Sequence, residues 1–494
     1  MKRLRSVTER PGRAWRGASI AVVVGVAAHA GAQWTFIDLT PQGSQANALG
    51  ADAGSEVGWA ASGSQARAVR WSGSSESGNF LPDGLHSSVA TAVQGREIVG
   101  YGRYNVQEES RAILWSDRSW IDLTPKGALA AQASDVHNGQ QVGGVDLRHE
   151  YPSASLWRGT AESWVDLSPA GSGWSWARGV HNGRQAGWAV FGSSHAGYWR
   201  GTAASWVDLH PVGALNSMAF AIDADQEVGE LTSASGGAAG ACLWRGSADT
   251  YVDLDPGQGS KAYGVHEGQQ VGEALVRGKI RATLWYGSRD TYVDLHPAHA
   301  ERSEAYAVYD TGDVTRVVGK IRIVRGWNST VHAGLWIRQN SIIPPVSFDM
   351  LRGSVVSGNL SSLLSSDDNR LVMRPGAVFS NAEPPIQIRL NGISPQASPP
   401  MLSFQMESSA SIGNAEMNIA LYNFATQTYD VIETHMATMI DSVERVNVTG
   451  NASDYIEAGT RNVRARISYK ALGPVFIFPW FARIDRARWI VPGT

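Results

Sequence analysis

The chain has 494 residues, with 42 Lys and Arg against 45 Asp and Glu, one Cys, 54 Gly and 19 Trp. A charged fraction of 18% beside 43% hydrophobic residues excludes a disordered chain. The net charge of −3 gives no pull towards nucleic acid, and one Cys excludes an internal disulfide framework and a Cys-rich zinc site. Nineteen Trp is more than a core of this size needs, and most of them fall at regular intervals.

Residues 1–32 read as a secretory signal. Lys2, Arg3, Arg5, Arg10, Arg13 and Arg16 precede an apolar run from Ala18 to Ala28. Two small-x-small sites follow, Ala28-His29-Ala30 and Ala30-Gly31-Ala32, with cleavage expected before Gln33. The run is too short to cross a bilayer. Cleavage removes those six basic residues and Glu9, leaving a mature chain of net charge about −8 with no transmembrane segment. A lone Cys242 in an exported chain fits a bacterial exporter, which places the protein outside the cell, in the periplasm or on the cell surface.

A repeat then runs to about residue 340. Ala-x-x-Trp ends at Trp71, Trp115, Trp157, Trp199, Trp244, Trp285 and Trp336, at intervals of 44, 42, 42, 45, 41 and 51 residues. An aliphatic-Gly pair recurs in step (Val57-Gly58, Val99-Gly100, Val142-Gly143, Val228-Gly229, Val271-Gly272, Val318-Gly319), with Ala186-Gly187 as a variant. An Ala-x-small-aliphatic tetrad starts at Ala46, Ala90, Ala133, Ala177, Ala219, Ala262 and Ala305. The fourth signature, aromatic-x-Asp-Leu-x-Pro, runs from Trp120, Trp164, Trp206, Tyr251 and Tyr292, with an early copy at Phe36–Pro41. Asn138-Gly139 and Asn182-Gly183 are type I′ hairpin signals joining the tetrad strand to the aliphatic-Gly strand. Four short antiparallel strands per unit of about 43 residues, in seven copies, predict a seven-bladed β-propeller over 33–340. The array opens with an orphan Asp-Leu-Pro strand at 34–39 and ends without one, so pairing the two ends closes the ring and hides both edges. An open solenoid of stacked repeats is the alternative, and it needs no such complementary ends.

The motifs RAILW (111–115), HAGYW (195–199) and HAGLW (332–336), with VHNGQQVGG (136–144) and LPDG (81–84), resemble the HAF repeats of bacterial extracellular proteins. The resemblance covers roughly 34–338 and implies export and a propeller-like fold. It brings no catalytic residues with it.

Residues 341–366 are rich in Ser, Gly and Pro and read as a linker. From 367 to 494 apolar residues alternate, as in Ile386, Ile388, Leu390 and in Leu402, Phe404, Met406, which predicts a C-terminal β-sandwich. The expected fold is therefore all-β.

No Gly-x-Ser-x-Gly, His-Glu-x-x-His, phosphate-loop or EF-hand pattern is present, and no cofactor is implied. The Asp of the Asp-Leu motif occurs once per unit, which spreads these carboxylates round a ring; they read as acceptors of backbone N–H groups at strand ends. His137, His181 and His266 read as turn-flanking residues, and Cys242 as a packing residue aligned with Val69, Ile113 and Thr283. Variation between repeats is more informative. The column inside the tetrad reads Asn47, Thr91, Ser134, Arg178, Phe220, Tyr263, Tyr306, and the column before it Gln45, Val89, Gln132, Trp176, Met218, Lys261, Glu304. Trp174 and Trp176 are expected in a loop. Trp174, Trp176, Arg178, Phe220, Lys261, Tyr263 and Tyr306 are thus the candidate ligand residues, suited to sugar rings that stack on aromatic faces. The expected protein is a monomeric, non-catalytic binding or cell-envelope interaction module with a glycan, peptide or cell-surface partner. An extracellular propeller hydrolase or lyase acting on a polysaccharide is the alternative.

Overall fold

The computed structural model describes residues 34–493 apart from 62, 83, 117–118, 148–150, 381 and 474–477, together with the backbone of Val24–Gly25, which pairs antiparallel with Thr35 and Phe36. The rest of the expected signal segment lies outside the described residues. Among the described residues the fold is nearly all β, and no helix is long and apolar enough to cross a membrane.

Six four-stranded antiparallel sheets follow one another along the chain, over 45–80, 87–122, 130–166, 175–208, 214–253 and 260–294. A further set, Arg302–Asp310, Val314–Arg325 and Asn328–Ile343, takes its fourth strand from the other end of the repeat region. That strand is Thr35–Asp38, paired from Thr35↔Ile337 to Asp38↔Gly334. The first strands of successive sheets pack side by side, and Arg302–Asp310 in turn packs against Gln45–Ala51. Across this seam the Arg316 guanidinium meets Glu56 at 2.7 Å although 260 positions separate them.

The repeated motifs have local physical causes. Asn138, Asn182 and Glu267 take φ of 47°, 44° and 50°, each followed by a Gly of positive φ, which is the backbone of a type I′ turn. In every sheet the ladder slips just after the tetrad Ala, as between Ala177 and Gly179. The bulge presses the inner strand on its neighbour, and a Cβ on Gly187 would lie 1.9 Å from the Trp176 carbonyl oxygen. Only glycine fits the aliphatic-Gly pair. In five sheets a Ser on the first strand accepts the amide of the Ala in the preceding sheet's Ala-x-x-Trp, for instance Ala154 N–H to Ser175 Oγ at 2.9 Å. The seven Trp of that motif are buried between sheets. All six motif Asp carboxylates accept the amide two residues on, at 2.8–2.9 Å, as turn-forming side chains do. Cys242 is fully buried opposite Gly229, as Val69, Ile113 and Thr283 are opposite theirs.

One register needs correction. Ala48, and not Ala46, faces Gly58 and precedes the slip. Leu49 therefore takes the place in the column that the tetrad pattern assigns to Asn47, and Asn47 stands before the tetrad, facing Trp59.

The segment 341–366 carries strands where a linker is expected. Asn328–Ile343 continues through 341–343, where it pairs with Trp489–Val491, and Ser347–Arg352 and Ser354–Ser357 join two further sheets. Phe348 and Met350 pack on the core there, so alternation outweighs the Ser/Gly composition. One sheet runs Ser347–Arg352, Ile386–Ile393, Asn462–Ala471, Ala415–Asn423, Thr428–Met436. The other centres on Met401–Ala410 and Ala482–Pro492, flanked by Ser442–Thr449 and Leu371–Arg374. Their alternating apolar faces share one core, including Ile388, Ile419 and Ile467 with Phe404, Met406 and Trp489.

Candidate ligand site

The slip in each inner strand leaves one residue without a ladder partner, and these residues form the column Leu49, Thr91, Ser134, Arg178, Phe220, Tyr263, Tyr306. Small and polar residues fill it over the second and third sheets. Thr91 donates to the Val99 and Ala133 carbonyls at 3.1 and 2.9 Å. From the fourth sheet onward the wall is aromatic. Trp174, Trp188, Phe220, Tyr263 and Tyr306 form a continuous arc across four consecutive sets of strands, with successive ring centroids 6.4, 6.0, 5.7 and 5.4 Å apart. All five are half-buried, so each ring keeps part of its surface open.

A row of charges borders the arc. It comes from the residue before each tetrad and the residue after each aliphatic-Gly pair, which face one another across the ladder: Met218↔Glu230, Lys261↔Glu273 and Glu304↔Lys320. Lys261 meets Glu230 at 2.9 Å, Arg302 bridges Glu273 (3.1 Å) and Glu304 (2.6 Å), and Lys320 meets Glu304 at 3.0 Å. The Tyr263 hydroxyl donates to Glu273 at 3.1 Å, and the Tyr306 hydroxyl donates to Glu304. Burial, then the adjacent carboxylates, raises both phenols above their ordinary pKa, so they remain donors. Burial, then Glu304, raises Glu273 as well, against the opposing effect of Arg302.

The seven residues singled out from sequence divide in two. Phe220, Tyr263 and Tyr306 belong to the arc, with Lys261 on its charged border, Trp174 at its end and Arg178 beside it. Trp176 does not join them as a free loop residue. It lies in the strand Ser175–His181, its indole N–H donates to Ser134 at 3.0 Å, and its ring sits where a Cβ on Gly144 would approach to 2.9 Å. It packs one sheet on the next. Trp188, Glu230, Glu273, Arg302 and Lys320 also belong to the site, although the sequence motifs do not single them out. All but Arg302 stand directly after an aliphatic-Gly pair, in a column that varies between repeats as strongly as the two columns within and before the tetrad.

Arg178 is the odd member. The residue is exposed, and the groups whose charge it feels come from the second, third and sixth sheets: Tyr101, Asp135 and Tyr263. Desolvation by the neighbouring protein lowers its pKa. Asp135 accepts the amides of Val136 and Val180, both at 2.8 Å, and burial still pushes it up to about 6.

The site lies towards the start of the inner strands. Their far ends carry the hairpin turns, where His137 stacks on His181 and His266 on Tyr309, both at 4.4 Å. C-terminal strands reach that far end through Asn447 to Glu267 (2.7 Å), Arg445 to Asp310 (3.3 Å) and Arg488 to Asp313 (2.7 Å). Among the described residues no group of three or more His, Cys, Asp or Glu is placed to hold a metal ion.

No protein-family model matches the chain, and no curated protein matches its sequence. Several solved structures resemble it at low identity. A puromycin hydrolase has a TM-score of 0.39 at 10% identity, over 69% of this chain and 60% of that one. An exo-β-1,3-galactanase from Phanerochaete chrysosporium has a TM-score of 0.26 at 10% identity, over 89% of this chain and 100% of that one. A Trypanosoma rangeli sialidase has a TM-score of 0.27 at 9% identity, over 96% of each chain. Scores this low leave function to be read from the chain's own residues.

Proposed function

We propose that the chain is an exported seven-bladed β-propeller of the HAF-repeat type with a C-terminal β-sandwich, acting as a non-catalytic glycan-binding module. The observation that carries the reading is the arc from Trp174 to Tyr306. Half-buried rings give flat apolar faces for sugar rings, and the bordering Lys261, Arg302 and Lys320 with their carboxylates supply donors and acceptors for hydroxyl groups. The terminal strands and the seam pair Arg316–Glu56 support ring closure. Export rests on the sequence of residues 1–32 alone.

The experiment is a glycan array with the mature chain, followed by titration of the hits on intrinsic Trp fluorescence. Phe220→Ala and Tyr263→Ala should each weaken binding about tenfold, the loss expected for one stacking face of about 1.5 kcal/mol. Absence of both array binding and any Trp shift ends the reading.

A hydrolase remains the second reading, because Glu273 is a buried carboxyl with a raised pKa next to a second carboxylate, the setting of a general acid. Binding is preferred because Arg302, Lys320 and the two phenols already engage both carboxylates. Release of reducing ends from an array hit, abolished by Glu273→Gln, would reverse that preference.

A further inference from the structure

The column that lines the inner strands has seven members, and six are uncharged. The fold therefore does not require a cation at this position: Leu, Thr, Ser, Phe and Tyr all serve in the equivalent place. Arg178 nevertheless stands there, at a bulge whose neighbours Ala177 and Gly179 are fixed by pairing to Gly187 and Ala186. Among the described residues its guanidinium makes no hydrogen bond and no ion pair. Several other arginines of the repeat region are matched with acids, as Arg184 is with Glu227, Arg281 with Asp294 and Arg302 with Glu273 and Glu304. The nearby acid whose charge it feels, Asp135, spends its two oxygens on backbone amides.

A guanidinium keeps its charge in any ordinary protein setting and offers five N–H donors in a planar fork. An exposed guanidinium with no protein partner is free to take a planar anion through two parallel hydrogen bonds. The fork is also in the right neighbourhood. Arg178 and Phe220 hold equivalent bulge positions on Ser175–His181 and Ala214–Asp223, which pack side by side, so the fork stands next to a member of the arc.

We propose that Arg178 is the anion-recognition point of the ligand site, and that the saccharide held against the arc of Phe220, Tyr263 and Tyr306 carries a carboxylate, as a uronic acid does. The carboxylate meets the Arg178 fork while the pyranose faces lie on the rings. Glu230, Glu273 and Glu304 do not oppose this, since each is already matched to Lys261, Arg302 or Lys320. The inference rests on the arc being a saccharide site, and its test separates the two statements.

The probes are oligosaccharides of galacturonate, glucuronate and mannuronate, each as the free acid and as the methyl ester, titrated into the full mature chain and followed by calorimetry and Trp fluorescence. The ester keeps the sugar and removes the charge. At least one acid should bind about tenfold or more tighter than its ester, in keeping with a charge-assisted bidentate pair. Arg178→Gln should bring the acid down to the affinity of its ester with thermal melting unchanged, and Arg178→Lys should keep part of the difference. Equal binding of acid and ester, or an acid preference that survives Arg178→Gln, overturns the role of Arg178 and leaves the saccharide site standing. Failure of every acid and ester to bind, together with a blank glycan array, overturns both.

Discussion

Each Ser that accepts an amide from the preceding sheet holds two sheets together through one buried bond. Ser175 is fully buried, and its Oγ receives the Ala154 N–H at 2.9 Å. Ser175→Ala deletes the acceptor and leaves that amide unsatisfied where water cannot replace it. The expected cost is about 1–3 kcal/mol, read as a lower urea midpoint at unchanged slope. A midpoint equal to the parent's would show that the bond contributes nothing. The column is visible in the chain, because Ser stands two places before Ala90, Ala177, Ala219, Ala262 and Ala305. Its role is hidden there, because Ser at a strand start also reads as a turn residue. The bulge is not legible at all. It depends on how the partner strand sits, and in the first sheet both Ala46 and Ala48 satisfy the tetrad. A slip of two residues preserves which face each side chain takes, so alternation cannot distinguish the two registers. The same ambiguity puts Asn47 where Leu49 belongs.

The decisive element is the first one. Thr35–Asp38 is only four residues long, yet it supplies the fourth strand of the last set. Phe36 stacks edge-on against Trp336 at 5.2 Å, Leu39 is fully buried, and Asp38 is tied to His332 at 2.8 Å. Deleting 33–40 should expose one edge of Asn328–Ile343 and empty the space that Trp34, Phe36 and Leu39 fill. Three large apolar side chains lost from burial correspond to roughly 5–9 kcal/mol, enough to unfold the chain or drive it to associate through the open strand. Thermal melting and size-exclusion elution of the deletion variant would check this, and unchanged behaviour in both would refute a closing role. This strand can be read from sequence because its motif is displaced: an Asp-Leu-Pro copy precedes the first full unit and none follows the last. The strands within 341–366 cannot. Ser, Gly and Pro mark turns as readily as linkers, and only the packing of Phe348 and Met350 settles which.

At the scale of the whole molecule, the repeat region and the C-terminal sheets are one continuous structure. The strand Asn328–Ile343 belongs to both, pairing with Val314–Arg325 along most of its length and with Trp489–Pro492 at its end. Beside that shared strand lies Asp310, buried, with Arg445 of the C-terminal part at 3.3 Å, the Gln269 and Asn340 amides donating to it, and the Gly312 amide at 2.7 Å. Nothing in the sequence joins residues 310 and 445. They are polar, 135 positions apart, and neither belongs to a repeated motif, so this contact becomes visible only with the fold. Burial works against the charge on Asp310, but Arg445, the Gly312 amide and Arg338 outweigh it and hold its pKa below the ordinary aspartate value. A carboxyl whose folded pKa is depressed adds stability that is present above its unfolded value and is lost as pH falls through the folded one. The junction should therefore hold at neutral pH and weaken below about pH 4. Asp310→Asn should imitate that acid state at pH 7 by leaving Arg445 and Arg338 short of a counter-charge, a loss of about 3–5 kcal/mol for a broken buried pair. In calorimetry the parent should unfold in one transition at pH 7, and the variant should separate into two, with the C-terminal sheets or the repeat region melting first. A single transition in the variant at the parent's temperature would mean that the shared strand alone couples the two parts, and that the Asp310–Arg445 pair adds nothing to it.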